Sequence, residues 1–148
     1  DVKIGPYVQL RPNSHIKKGA KIGDFVEIKN STIGEYTAVA HLTYIGDSDV
    51  GSNVNFGCGV VTVNYNGDKK FRTVIEDNAF IGNTNLVAPV RVGKGAYTAA
   101  GSTITTDIPD NALAIERGRE TIKEGYAEKK LKARTEKFEA IHGKSEEK

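Results

Sequence analysis

The stretch KIGDFVEIKNSTIGEYTAVAHLTYIGDSDVGSNVNF, Lys21 to Phe56, decides the fold. Its core candidates are Ile22, Ile28, Ile33, Val39, Ile45, Val50 and Phe56, always six or five residues apart. An amphipathic helix would repeat at 3.6 and a half-buried strand at 2, so neither element explains the spacing. A parallel β-helix does, if each hexad holds one short strand and one turn and three hexads close a coil. Glycine follows the aliphatic residue at Ile22-Gly23, Ile33-Gly34, Ile45-Gly46 and Val50-Gly51, where a turning backbone leaves little room for a Cβ. Asp24 and Asn53 fall at expected corners, where short polar side chains bond their own backbone.

The period extends both ways. Upstream it runs through Ile4, Leu10 and Ile16; downstream it resumes at Ile75, Ile81 and Val87, slips to Val92, reaches Thr98 and ends near Ile104. The break between, TVNYNGDKKFRTVIE (Thr62 to Glu76), carries the turn dipeptide Asn66-Gly67 and reads as a loop over about 63–74 thrown out of the coil. Insertions of this kind in solenoids often bind ligands. After the repeats come the turn signals Ile108-Pro109 and Asp110-Asn111. From about Thr121 the pattern is helical, with Ala127, Leu131, Phe138 and Ile141 on one face and Gly143 as a stop. Such a helix needs a partner surface. The expected organisation is a β-helix over residues 1–106 and an arm with an amphipathic helix over 107–148.

Composition narrows the function classes. The 148 residues suffice for one domain with a real core, and a net charge of +2 argues against a nucleic-acid-binding field. No apolar run could span a bilayer, and no signal-like segment opens the chain. The single cysteine excludes an internal disulfide and fits a reducing, cytoplasmic setting. Methionine is absent even at position 1, and Asp1 enters mid-repeat; both suggest a processed or excised segment.

Few side chains in this repeat are reactive. His15, His41 and His142 lack metal-ligand spacing, so no metal is expected. His15 and His142 read as surface residues. His41 lies fourteen residues after Glu27 and fourteen before Asn55, a separation that shortened coils could bring together. A carboxylate beside an imidazole orients it and raises its basicity, and histidine titrates near about 6.5, suited to general-base work at neutral pH. On spacing alone, a structural turn histidine explains His41 equally well. Arg11, Lys29, Lys69, Lys70 and Arg72 suggest a local anion site, although Lys69 and Arg72 taken singly read better as solvated charges. Cys58, between two glycines, reads as a small filler in preference to a nucleophile.

The motifs HLTYIG, NVNFGCG and NYNG, with FVEIKNSTIG and GAYTAAGSTIT in the same order, carry a resemblance. From about Ile4 to Tyr126 the chain resembles the C-terminal acetyltransferase domain of the bacterial bifunctional enzyme that joins glucosamine-1-phosphate N-acetyltransferase to N-acetylglucosamine-1-phosphate uridyltransferase. The resemblance implies a left-handed parallel β-helix and a homotrimer with active sites between subunits. It also implies transfer of acetyl from acetyl-CoA to the sugar amine, a step toward UDP-N-acetylglucosamine and cell-wall precursors, with no metal needed. No glycine-rich nucleotide loop is present, so uridyl transfer is not expected of this chain.

By position the resemblance implies that His41 is the catalytic base and Glu27 the carboxylate that orients it. Arg11, Lys29, Tyr44 and Lys70 would hold the sugar phosphate, and Asn55 and Asn64 would contact the sugar and the acetyl group. Cys58 through its backbone N–H, Asn64, Tyr65, Asn83, Ala100 and Arg117 would bind acetyl-CoA, with Arg117 reaching a neighbouring subunit. The chain departs from the family pattern at Cys58 (usually Ala), Ala40 (usually Gly) and Asn66 (usually Asp), and in a one-residue shortening within GNTNLVAP. Glu116 also sets a negative charge beside Arg117. Two other readings stand beside this one: a hexapeptide acyltransferase with another amine or hydroxyl acceptor, and a non-catalytic trimerisation scaffold.

Overall fold

The computed structural model describes residues 1–143. Strands of two to four residues form three sheets of seven, six and five strands, every ladder parallel. Each interior strand pairs with strands one coil before and after it, and the strands at the sheet ends with one. In the first sheet Ile22, Val39, Phe56, Ile81 and Thr98 stack in register; the second stacks Leu10, Ile28 and Ile45; the third stacks Ile16, Ile33, Val50, Ile75 and Val92. The hexad residues therefore meet inside a three-sided prism, where Ile22, Ile28, Ile33, Val39, Ile45 and Ile81 are all buried. Each contributes about 1.5–3 kcal/mol by leaving water.

One member of the period is corrected. Leu86, not Val87, points inward and stacks on Ile104, because the strand Thr84–Val87 begins one residue early after the shortened corner. The interior also accepts threonines where their hydroxyls find partners: Thr84 Oγ1 and Thr98 Oγ1 are 2.8 Å apart, and Thr62 Oγ1 donates to the Gly46 carbonyl at 3.2 Å.

Corners stack backbone upon backbone. A Cβ on Gly23 would run into the Ala40 carbonyl, and one on Gly34 into Gly51. At the corner between the first and second sheets, three bulky residues adopt the left-handed backbone region: Tyr7 (φ 54°), Phe25 (φ 59°) and Leu42 (φ 42°). Such residues rarely accept positive φ. All three are exposed, and the Tyr7 and Phe25 rings stack with centroids 5.4 Å apart.

The loop leaves at the corner between the second and third sheets, between the strands Val61–Val63 and Thr73–Ile75. It folds back as a small hairpin: Asn66 Oδ1 accepts the N–H groups of Asp68 (3.0 Å) and Lys69 (2.7 Å), and Tyr65 bridges Lys70. Pairing also runs beyond residue 106. Ile108 bridges Val92, the strand Leu113–Ala114 pairs with Tyr97–Thr98, and the compact coil unit spans Asp1–Arg117.

The second unit holds one helix, Tyr126–His142. Gly143 ends it with φ 78°, its N–H bonding the Glu139 carbonyl at 2.8 Å. Ala127, Leu131, Phe138 and Ile141 all lie on it and are exposed. Among the described residues no helix is long and apolar enough to cross a membrane.

Candidate active site

Two clusters of polar residues form at different corners of the prism. The first follows the corner between the first and second sheets. His41 ends the strand Ala38–His41 and lies in register with Asp24 one coil below. Continuing the register of Asn55 on Ala38 and Phe56 on Val39 puts Cys58 one coil above His41. Asn83 Nδ2 donates to the Cys58 carbonyl at 2.7 Å, Gly101 N–H to the Asn83 carbonyl at 2.6 Å, and Arg117 Nη1 to the Ala100 carbonyl at 2.9 Å. His41, Cys58, Asn83 and Ala100 thus rise along one edge, one per coil. At about 4.8 Å per step the edge is about 14 Å long, suited to an extended ligand.

Arg117 is found on its own coil. Within the chain its guanidinium donates to the Ala100 carbonyl. Glu116 beside it is exposed, and its Oε2 accepts the Thr103 N–H at 3.2 Å. Asn55 lies beside this edge on the outer face of the first sheet, between Ala38 and Phe80.

The second cluster lies on the second sheet and at its far corner. Glu27 pairs with Tyr44 in register and accepts Arg11 Nη1 at 2.8 Å. Among the described residues no hydrogen bond joins Glu27 to His41; the imidazole is exposed, and the His41 carbonyl takes the Thr43 hydroxyl at 2.6 Å. Lys70, carried by the hairpin loop, meets Lys29. Hydrogen bonding and like charge from Lys29 hold the Lys70 amine below the ordinary lysine value, with Asp47 and Tyr44 pulling the other way. Two neighbouring amines of this kind could take an anion. The other cation on the loop's end, Arg72, is spent on Asp49 through two hydrogen bonds of 3.0 and 2.6 Å, in keeping with a solvated ion pair.

Beneath the two lysines lies a residue that sequence reasoning missed. Asp47 is only 5% exposed and has φ 48°. Its carboxylate accepts Asn30 Nδ2 at 2.6 Å, and also accepts Asn64 Nδ2. Burial alone would raise its pKa, but the bonds from Asn30 and Asn64 and the charges of Lys29 and Lys70 outweigh burial and hold it below the ordinary carboxylate value. The signal in the sequence was one more Asp after an aliphatic-Gly pair, identical to an ordinary turn residue.

No protein-family model matches the chain. It is 66% identical over 127 residues to the bifunctional protein GlmU of Caldicellulosiruptor saccharolyticus, covering 85% of this chain and 27% of that protein. Over that span the chain is similar to a part of GlmU. The GlmU of Acetivibrio thermocellus is 59% identical over 138 residues, covering 93% of this chain and 30% of that protein. The chain therefore spans under a third of the GlmU relatives it matches. Among solved structures, the acetyltransferase domain of PglB from Neisseria gonorrhoeae, in complex with acetyl coenzyme A, superposes with a TM-score of 0.71 at 20% identity, over 82% of this chain and 57% of that one. A mutant perosamine N-acetyltransferase from Caulobacter crescentus, in complex with CoA and GDP-perosamine, gives 0.66 at 20% identity, over 80% and 57%. At that identity the likeness shows the fold, the left-handed parallel β-helix that these proteins share with the GlmU-like chain.

No group of three or more His, Cys, Asp or Glu among the described residues could hold a metal ion. Cys58 is exposed, but its one bonded atom is its backbone carbonyl. Were this edge to serve acetyl transfer, Cys58→Ala would leave it within about twofold of the parent, since a backbone contact tolerates the change. A thiol-release assay of the purified variant checks this.

Proposed function

We propose that this chain acts as the C-terminal acetyltransferase part of a GlmU-type protein, moving the acetyl group of acetyl-CoA onto the amine of glucosamine-1-phosphate. The product would feed UDP-N-acetylglucosamine and cell-wall precursor synthesis in the cytoplasm. The observation that carries the reading is the 66% identity to GlmU over 127 residues, in a chain that stacks His41, Cys58, Asn83 and Ala100 along one edge. The fold neighbours crystallised with CoA and acetyl-CoA support the donor. In this mechanism Arg11, Lys29, Tyr44 and Lys70 bind the phosphate and Asn55 and Asn64 orient the sugar. His41 takes a proton as the amine attacks the thioester carbonyl, and Glu27 supports the imidazole. The Cys58 N–H steadies the oxyanion, and the CoA thiolate leaves and is protonated. Asn64, Tyr65, Asn83, Ala100 and Arg117 serve the CoA.

The test is to mix the chain with acetyl-CoA and glucosamine-1-phosphate and follow free thiol. Release that depends on the acceptor supports the reading; release no faster than without acceptor sinks it. Screening other amino sugars and hydroxyl acceptors in the same assay separates it from a sister specificity.

We further propose a homotrimer with each site shared between subunits. Two observations support it. The exposed apolar strip of Tyr7, Phe25 and Leu42 runs beside His41. The base and the anion seat also stand at opposite ends of one side of the prism: Leu42 to Asp47 is five residues, about 16 Å of extended chain. A sugar phosphate seated on one subunit would meet His41 of the next. His41→Ala and Lys29→Ala proteins, unfolded together in equal amounts and refolded, should then regain activity. A random mixture leaves roughly a quarter of the sites with both residues intact. Mixed trimers, confirmed by mass, that stay as inactive as the parents would rule out the shared arrangement.

A further inference from the structure

Asp47 is a charged residue buried where a turn residue would do. An ionised carboxylate can only accept hydrogen bonds. Because it sits between Asn30 and Asn64, both amides must turn their NH2 groups toward it. That settles which way the Asn64 side chain faces: its nitrogen points down to Asp47 and toward the Tyr44 hydroxyl, 3.4 Å away, and its oxygen is left on the other side. Among the described buried side-chain atoms only Thr73 Oγ1 lacks both a partner and solvent, and Asn64 Oδ1 takes no hydrogen bond from the protein, so this oxygen opens to solvent. An amide free to flip would offer either end; this one offers an acceptor, beside two amines that offer only donors and positive charge.

We infer that Asp47 is a positioning residue that makes this corner selective for a ligand carrying both an anion and a hydrogen-bond donor, here the amine of an amino-sugar phosphate. Lys29 and Lys70 take the anion. Asn64, held by Asp47, presents its oxygen to the N–H of the ligand, and the buried negative charge favours an ammonium over a neutral hydroxyl at the same place. This role rests on the acceptor proposed above, and goes beyond it by naming what distinguishes that acceptor from a bare phosphate.

The experiment is calorimetric binding of glucosamine-1-phosphate and of inorganic phosphate to the parent, to Asp47→Asn and to the control Asp49→Asn, with thiol-release turnover measured alongside. Asp49 carries the same group two residues away but is exposed and paired with Arg72. The expected result for Asp47→Asn is about tenfold weaker binding of glucosamine-1-phosphate, the loss of one hydrogen bond of about 1.4 kcal/mol, with inorganic phosphate bound at least as tightly because a negative charge has left the seat. Asp49→Asn should match the parent for both ligands. Equal loss of both ligands would mean that the corner had merely collapsed, and no loss of either would mean that Asp47 positions nothing; each outcome overturns the inference. A parent that binds glucosamine-1-phosphate without transferring acetyl to it would defeat the proposed reaction and leave the role of Asp47 to be decided by the binding split. A parent that binds neither would overturn both.

Discussion

His41→Ala is expected to slow acetyl transfer about 10²–10⁴-fold, the range set by removing a general base, with the affinity for acetyl-CoA little changed. The attacking amine must lose a proton as it bonds to the carbonyl carbon, and His41 is the one imidazole on the edge that also carries Cys58, Asn83 and Ala100. His15 lies on the third sheet, away from this edge. Single-turnover acetylation with saturating substrates reads the chemical step directly. A variant that keeps parental turnover would remove His41 from the mechanism. If Cys58→Ala were the one to abolish activity, transfer would pass through a covalent acetyl-cysteine.

Lys29→Ala is expected to raise the half-saturating concentration of glucosamine-1-phosphate about 10- to 150-fold. That range converts the loss of one charge-assisted hydrogen bond, about 1.5–3 kcal/mol. The substitution also relieves Lys70 of its neighbour, so the Lys70 amine regains some basicity and the seat keeps one firm cation. Arg11 is the weaker test, because its guanidinium is already tied to Glu27 and its removal disturbs two residues at once. Acetyl-CoA titrations of Lys29→Ala should overlay those of the parent. A variant whose acetyl-CoA curve moves and whose sugar-phosphate curve does not would transfer this corner to the coenzyme.

The coil is legible because its period leaves a mark in every turn: the spacing of Ile22, Ile28, Ile33, Val39 and Ile45 marks them as inward, and all five are buried. Handedness was not, since a mirror-image coil has the same spacing; it came from the resemblance. The site was legible in residue types and opaque in pairing. Glu27 and His41 suggested a carboxylate–imidazole pair, yet within the chain Arg11 takes the carboxylate, a partner sixteen residues back whose reach depends on how coils stack. Arg117 bonds Ala100 across a coil boundary, a pairing that no local pattern reports. Asp47 was lost for the same reason. Its burial comes from Asn30 one coil below and Asn64 one coil above, each seventeen residues distant, and nothing in GDSD separates it from a solvent-facing turn.

Ladder pairing only between successive coils has a consequence for how the chain holds together. Almost every strand-to-strand partner lies some sixteen to twenty-five residues away, and a longer coil stack would not lengthen that distance. Cooperativity is therefore that of a one-dimensional array, with each coil stabilised by its two neighbours and the terminal coils by one. Opening should begin at the ends and run inward, so amide exchange should be fastest at Lys3–Ile4 and Leu113–Ala114 and slowest near Ile45. His41 and Asp47 sit in that slow middle, where fraying at either end is dissipated before it reaches them.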